Sequence, residues 1–407
     1  MFYFRSFRVF RGQKNKMKKT EIVIIGGGVV GASVAYHLTM RGAKDVLILE
    51  RGSVQGGGST GKATGGVRAQ FETEINIKMS LYSLDFLANC GCDCAYEPRG
   101  YLFFATDEKQ FGYVRQNVEF QKKLGVKDVE VVDKKQIEKI CPILNTEDIV
   151  GGSFGQSDGF VNPLAIMRGF TEKALERGAK IQFETQVLSI ETENGKVVAV
   201  ETSKGRIECE KVVLATGAWA RELANTAGID LPVSPQKRQI VWARSEKTLP
   251  ANLPMVIDIG SGFHFRPARD FVDLTANSDN TEVLFAYPDP DEKESFDTNF
   301  DEAFIEKVYE KAKHRSPFLF DTKIIKEKCR AGLYENTPDH HAILGGCSVE
   351  GLYFANGFSG HGVMHSPATG RALSEIILDG KASFLDVSCL SFERFAKGEL
   401  LHETAFI

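Results

Sequence analysis

Three glycines and one acid carry the spacing with the most chemistry in it. Gly26, Gly28 and Gly31 form G-x-G-x-x-G, and Glu50 follows them by about 20 residues. In that pattern the first glycine permits a tight turn and the second lets backbone approach a pyrophosphate. The third lets a helix pack closely on a strand. Val29 and Val30 open the helix, whose unpaired N–H groups and macrodipole favour phosphate. Glu50 is placed to accept hydrogen bonds from a ribose 2′-OH. The stretch 54–71, VQGGGSTGKATGGVRAQF, is small and glycine-rich, so its backbone can close around a ligand, and Arg68 stands out in it as a cation. Near the other end, GFSGHG at 357–362 precedes a second helix. A nicotinamide enzyme does not need that element. A flavin does, because its N1/C2=O region gains negative charge on reduction and a helix N-terminus stabilises it.

These residues need a scaffold of parallel strands. The run 22–25 is continuously apolar, as in a strand buried on both faces, and 46–49 repeats the pattern. Helices are expected over 74–87 and 108–124, and from Pro163 to Gly178. Short strands are expected at 101–105, 180–183, 187–193, 196–202, 206–209 and 211–214, with Asn194-Gly195 as a hairpin turn and 151–159 as a loop. From 231 to about 323 the pattern changes to antiparallel strands near 239–244, 262–267, 271–275 and 283–287, plus a helix at 301–314. The fold class expected is α/β: a Rossmann-like dinucleotide-binding domain with an interleaved, mostly antiparallel α+β substrate domain. Its boundaries fall at 17–92, 151–230 and 325–407 for the first domain and 93–150 and 231–324 for the second, after a disordered tail at 1–16.

Composition narrows the partners. The chain has 407 residues, 43% of them hydrophobic, and a formal net charge of −4, so nothing points to nucleic acid. No apolar run approaches the ~20 residues of a transmembrane helix. Eight cysteines in a chain this long are not a disulfide framework, which fits a cytoplasmic setting. Cys90, Cys92 and Cys94 do not have a zinc spacing and read as a loop with free thiols; no metal is expected. Trp219 and Trp242 read as core, and His340-His341 as a turn.

Taken together, the glycine fingerprint with Glu50, the 59–71 loop, Ala215-Thr216-Gly217 after a strand, Thr337-Pro338-Asp339 and GFSGHG resemble the D-amino-acid oxidase superfamily of FAD enzymes. The branch is the one holding sarcosine oxidase β-subunit-like and glycine oxidase-like proteins, and the resemblance spans 18 to about 395. It implies FAD as cofactor, with Glu50 and Arg51 at the ribose and Val187 pairing its backbone with the adenine. It sets Ser59, Thr60, Gly61, Lys62, Ala63, Gly65 and Gly66 along the pyrophosphate and flavin loop. Ala215, Thr216 and Gly217 join the cofactor site, and Gly357, Gly360, His361, Gly362, Val363 and Met364 sit at the flavin pyrimidine edge. Arg68 matches an arginine near the substrate carboxylate in the sarcosine oxidases, where a bidentate pair is the natural contact. Tyr334 falls where glycine oxidases carry a carboxylate-binding arginine, and His264 is a candidate for lining the pocket.

The activity implied is oxidation of the C–N bond of a small amino acid or a secondary or N-methyl amine, by hydride transfer to flavin N5 and hydrolysis of the imine. Departures from the pattern qualify it. Gly332 stands where some monomeric sarcosine oxidases attach FAD to cysteine, and Cys329 is three residues too early, so FAD is expected to be non-covalent. Met364 stands in place of a lysine, and 271–277, matched to an oxygen-activating lysine region, contains none. A cation near flavin C4a favours oxygen chemistry, so its absence favours a dehydrogenase over an oxidase, with an electron acceptor other than O2. A partner subunit in a hetero-oligomer is compatible with this branch. The alternatives are a 2-hydroxy acid or glycerol-phosphate dehydrogenase of the same fold, and a non-catalytic flavoprotein that assists assembly of a complex.

Overall fold

The computed structural model describes residues 19–90, 94–268 and 280–403. The expected tail at 1–16, Cys92 and the expected strand at 271–275 lie outside them.

Lys19–Ile25 is central in an eight-stranded sheet. Ile207–Leu214 and Val46–Leu49 flank it, both parallel. Lys180–Gln182 and Leu352–Asn356 extend the parallel array on either side, and Ile343–Gly346 closes one edge antiparallel. Ile22, Val23 and Ile24 are fully buried, which is why the run is apolar without alternation. Ile22 and Ile24 face the helices Val29–Met40, Pro163–Glu176 and Gly362–Asp379. The first of these packs on both others, and Ser33 Oγ donates to Ser366 O at 2.7 Å across one crossing. Val23 and Ile25 face the hairpin Val187–Glu193/Lys196–Thr202 and the helix Ala220–Thr226.

The second sheet has nine strands and is antiparallel apart from the pairing of Met255–Asp258 with Tyr101–Ala105. Its order runs Lys323–Ile324, Ser234–Arg244, Glu282–Ala286, His264–Pro267, Met255–Asp258, Tyr101–Ala105, Gly151–Gly155, Val129–Val132. Arg330–Asn336 pairs with the first half of Ser234–Arg244. A phenylalanine-rich core, with Phe104, Phe263, Phe265 and Phe285 fully buried, fills the space under the helix Ala303–Arg315.

Several expectations needed correction. Residues 151–155 are a strand, not part of a loop, because glycine there serves close approach. A Cβ on Gly152 would lie 2.2 Å from Phe103 O. The two strands expected at 206–209 and 211–214 are one, Ile207–Leu214, whose burial alternates at first and becomes continuous where the strand enters the parallel array. Met255–Asp258 and Arg330–Asn336 were not foreseen as strands. Both 151–155 and 330–336 hydrogen-bond into the second sheet, although the sequence boundaries set them with the first domain. Cys90 is disulfide-bonded rather than free, whereas Cys94 is a buried thiol. Among the described residues no helix is long and apolar enough to cross a membrane.

The T-P-D turn is held from behind by a buried ion pair. Arg394 Nε donates to Asp339 Oδ2 at 2.8 Å and Nη2 to Oδ1 at 2.9 Å. Both side chains are 1% exposed, and Nη2 also donates to His341 O. Removing one partner of a buried pair strands the other charge, so Arg394→Met is expected to lose about 3–5 kcal/mol of stability. Urea unfolding of the variant beside the parent protein checks this; a loss below about 1 kcal/mol, the size of a surface pair, would contradict it.

Candidate functional site

A cavity of about 460 Å³ lies between the two sheets. It opens at the carboxyl ends of the parallel strands, where Ile25, Leu49 and Ala215 reach its wall, the usual place for a ligand in such sheets. From there it runs to residues of the second sheet: Met255, Ile257, His264, Arg238 and Ile240.

The first end is a cradle with space reserved for backbone. Gly26 has φ +106°, and a Cβ there would lie 2.3 Å from Ala215 O. A Cβ on Gly31 would lie 2.0 Å from Gly26 O, so only glycine lets the helix Val29–Met40 start so near the strand. Glu50 is oriented by two backbone donors: Gly27 N–H to Oε2 at 2.9 Å and Gly52 N–H to Oε1 at 2.7 Å. Each oxygen retains a lone pair for a ribose hydroxyl. Val29 N–H donates to Thr60 Oγ1 at 3.1 Å, tying the 59–66 loop to the helix start. Ser59 Oγ donates to Leu333 O at 2.7 Å, tying the same loop to the second sheet. At the far wall, the 18-residue helix Gly362–Asp379 begins directly after His361, so Gly362, Val363 and Met364 present a helix N-terminus to the cavity. This donor set fits a dinucleotide at one end and an electron-rich ring edge at the other.

The second end is electropositive. Arg68 is 3% exposed. It donates to Gln70 O, and its Cζ lies 3.9 Å from the centre of the Phe71 ring. Burial lowers its pKa from the ordinary value, while Glu403, Tyr101 and Asp158 act in the opposite sense. Burial pushes His264 down to about 4, and Arg238, Arg266 and Arg68 add to the effect. Its Nδ1 lies 2.9 Å from Gly262 O, which can only accept, so Nδ1 carries the hydrogen and Nε2 is the acceptor. His361 is held far below its usual pKa by burial and by Arg68, and stands edge-on to Phe71 with ring centres 4.9 Å apart. Burial raises the Tyr334 phenol, against the pull of Arg238 and Arg68.

The structure brings Arg68, Tyr334 and His264 to this one cavity, together with most of the expected cofactor residues. Arg51, Lys62, Ala63, Gly65, Gly66, Val187, Thr216, Gly217 and Gly360 all reach its wall. Gly31, Gly61 and Gly357 do not; they sit behind it as close-packing positions, and Gly357 N–H donates to Glu335 Oε2 at 3.0 Å. Trp219 corrects the expectation of a core residue. It lines the cavity, with the Arg51 guanidinium 3.8 Å above its ring. Trp242 is core, its Nε1 donating to Glu282 at 2.7 Å. Arg238 and Glu335 were missed. Both lie on strands of the second sheet that line the cavity, and the basic run at 237–238 was the only signal. Cys329 does not reach the cavity; Trp242 N–H donates to its sulfur at 3.4 Å. The region 271–277 lies outside the described residues.

A family model described as FAD dependent oxidoreductase (DAO) matches residues 21–376. The chain is 32% identical over 436 positions to FAD-dependent oxidoreductase domain-containing protein 1 of Xenopus laevis, covering 95% of this chain and 84% of that one. It is 28% identical over 401 positions to the mitochondrial dimethylglycine dehydrogenase of Mus musculus, covering 93% of this chain but 44% of that protein. Among solved structures, L-proline dehydrogenase from P. horikoshii superposes with a TM-score of 0.84 at 29% identity, covering 94% of this chain and all of that one.

Two tests follow from the site. Gly31→Ala puts a methyl group where Gly26 O stands, and overpacking of about 1–3 kcal/mol, felt in the cradle, corresponds to flavin binding weaker by roughly 5- to 150-fold. Titration of the apoprotein with FAD measures it; unchanged affinity would contradict the cradle. Burial also pushes Glu335 up to about 7. A carboxyl whose pKa is raised in the folded state loses stability as pH climbs from the ordinary carboxylate range towards that value. Glu335→Gln should therefore raise the melting temperature relative to the parent at about pH 8 and change it little at about pH 4. An equal shift at both would remove the argument.

Proposed function

The chain belongs to the DAO family of FAD-dependent oxidoreductases, and on that footing we propose that it oxidises the C–N bond of a small amino acid or of a secondary or N-methyl amine. The observation that carries this reading is the continuity of the cavity. It joins a dinucleotide cradle to a wall where Arg68, Tyr334 and the neutral His264 meet. Two relatives, dimethylglycine dehydrogenase and L-proline dehydrogenase, are named for donors with a substituted nitrogen near a carboxylate. A donor of that class suits an electropositive end wall.

The residues divide the work. The 26–31 turn, Glu50 and the 59–66 loop would hold the dinucleotide, and the start of the helix Gly362–Asp379 would stabilise negative charge on the flavin. When bound, FAD supplies the two-electron oxidation. Arg68 makes the end wall attractive to a carboxylate and helps keep His264 and His361 uncharged. An uncharged histidine with a free Nε2 accepts a hydrogen bond from the donor's amine and favours the neutral, reactive amine over ammonium. Tyr101, Met255 and Ile257 line the same end and keep water from the reacting carbon. Met364 reaches the wall in place of a lysine, so we favour a dehydrogenase that passes electrons to an acceptor other than O2.

Anaerobic mixing of the FAD-loaded protein with sarcosine, N,N-dimethylglycine, proline, glycine, lactate and glycerol phosphate tests the reading. Bleaching of the flavin band by an N-substituted amino acid or proline is expected, with slow return of colour in air. Bleaching only by lactate or glycerol phosphate, or by none of the panel, would contradict it. Fast return of colour would contradict the dehydrogenase assignment alone.

A further inference from the structure

The 59–66 loop forms part of the cavity wall, yet it is gripped by side chains of the second sheet. Arg330 opens the strand Arg330–Asn336, opposite Ile240. Its Nε donates to Lys62 O at 3.1 Å and its Nη2 to Ala63 O at 3.2 Å. Arg266, on the strand His264–Pro267, donates from Nη2 to the next carbonyl, Thr64 O. Three successive carbonyls of the loop are thus held by two guanidinium groups. Arginine suits this task because its donors form a planar fork that spans two acceptors.

Lys62, Ala63, Thr64 and Gly65 line the cavity, whereas Arg330 and Arg266 do not reach its wall. The arginines therefore hold the loop from outside. Among the described residues no peptide bond is cis. In a trans peptide the N–H points opposite to the C=O, so fixing Ala63 O and Thr64 O turns the N–H groups of Thr64 and Gly65 the other way. Neither N–H has a backbone acceptor among the described residues.

As architecture alone the arrangement is unfavourable. Arg266 is 3% exposed, its Nε is buried without a partner, and its Nη1 is taken by Pro267 O at 2.6 Å. Arg330 acts on it as a like charge. Carbonyl dipoles offset a buried cation only in part, and an apolar side chain of similar volume would pack as well.

We propose that Arg330 and Arg266 are positioning residues for the flavin: by holding the loop's carbonyls outside the cavity, they aim the N–H groups of Thr64 and Gly65 at the ring. Donors placed there favour the reduced, more negative flavin over the oxidised one. The second sheet thereby raises the reduction potential of bound FAD, whichever donor the cavity takes.

The test measures that potential in the FAD-loaded protein, by stepwise reduction beside an indicator dye, so it needs no amine. Arg330→Met should lower the potential by about 30 mV, a tenfold loss of preference for reduced over oxidised FAD in a two-electron couple. Arg330→Lys keeps the charge but cannot bridge two carbonyls, and should fall nearly as far. Loss of a purely structural contact would weaken both forms alike and leave the potential unchanged. A parental potential in Arg330→Met would overturn the proposal. So would full recovery in Arg330→Lys, which would make charge alone the cause. If Arg330→Met holds no FAD, the potential of Arg330→Lys decides in the same way.

Discussion

The contact on which the rest of the molecule depends is the one between the Gly26 carbonyl and the helix that begins three residues later. Gly31 crosses Gly26 O where even a methyl group would not fit. That closeness lets the strand Lys19–Ile25 and the helix Val29–Met40 share one core, and it aims the start of the helix at the cavity. The same helix carries Gly362–Asp379 against it. One glycine contact therefore sets both helix N-termini that line the cavity, although they lie more than 300 residues apart in the chain.

Electrostatics sets the second constraint. Burial lowers the pKa of His264 most, and three arginines, Arg238, Arg266 and Arg68, lower it further. Burial and these charges together keep the imidazole neutral. The carboxylates of the region are spent on other duties. Glu50 is pinned by backbone N–H groups, Asp339 is clamped by Arg394, and Glu403 accepts from Thr73 and Asn76 at 3.0 and 3.2 Å. The positive end of the cavity is a local arrangement of arginines, not the mark of a basic chain; the whole chain carries −4.

Much of the first sheet was legible because parallel strands buried on both faces leave continuous apolar runs, and because the glycine fingerprint fixes which strand and helix adjoin. The 22–25 run, Glu50 and the helix after 362 needed no tertiary information. The second sheet was less legible. Gly151–Gly155 carries three glycines, so its strand character comes from its neighbours Phe103 and Phe111 rather than from its own propensity. Arg330–Asn336 took its identity from pairing with a strand about 95 residues earlier, which no local pattern records. Arg238 was hidden for the same reason: a basic pair in a sequence is usually a solvated face, and only the register opposite Gly332 turns this one inward. Trp219 was misjudged because a tryptophan after a buried strand is core more often than not.

The central claim is that this cavity holds FAD, and holds it without a covalent link, since Gly332 offers no thiol and Cys329 lies outside the wall. Acid precipitation of the purified protein, followed by flavin assay of supernatant and pellet, tests it most directly. The account predicts one FAD per chain, all of it in the supernatant. Flavin that stays with the pelleted polypeptide would contradict the non-covalent site, and a protein that neither contains nor takes up FAD would contradict the account as a whole.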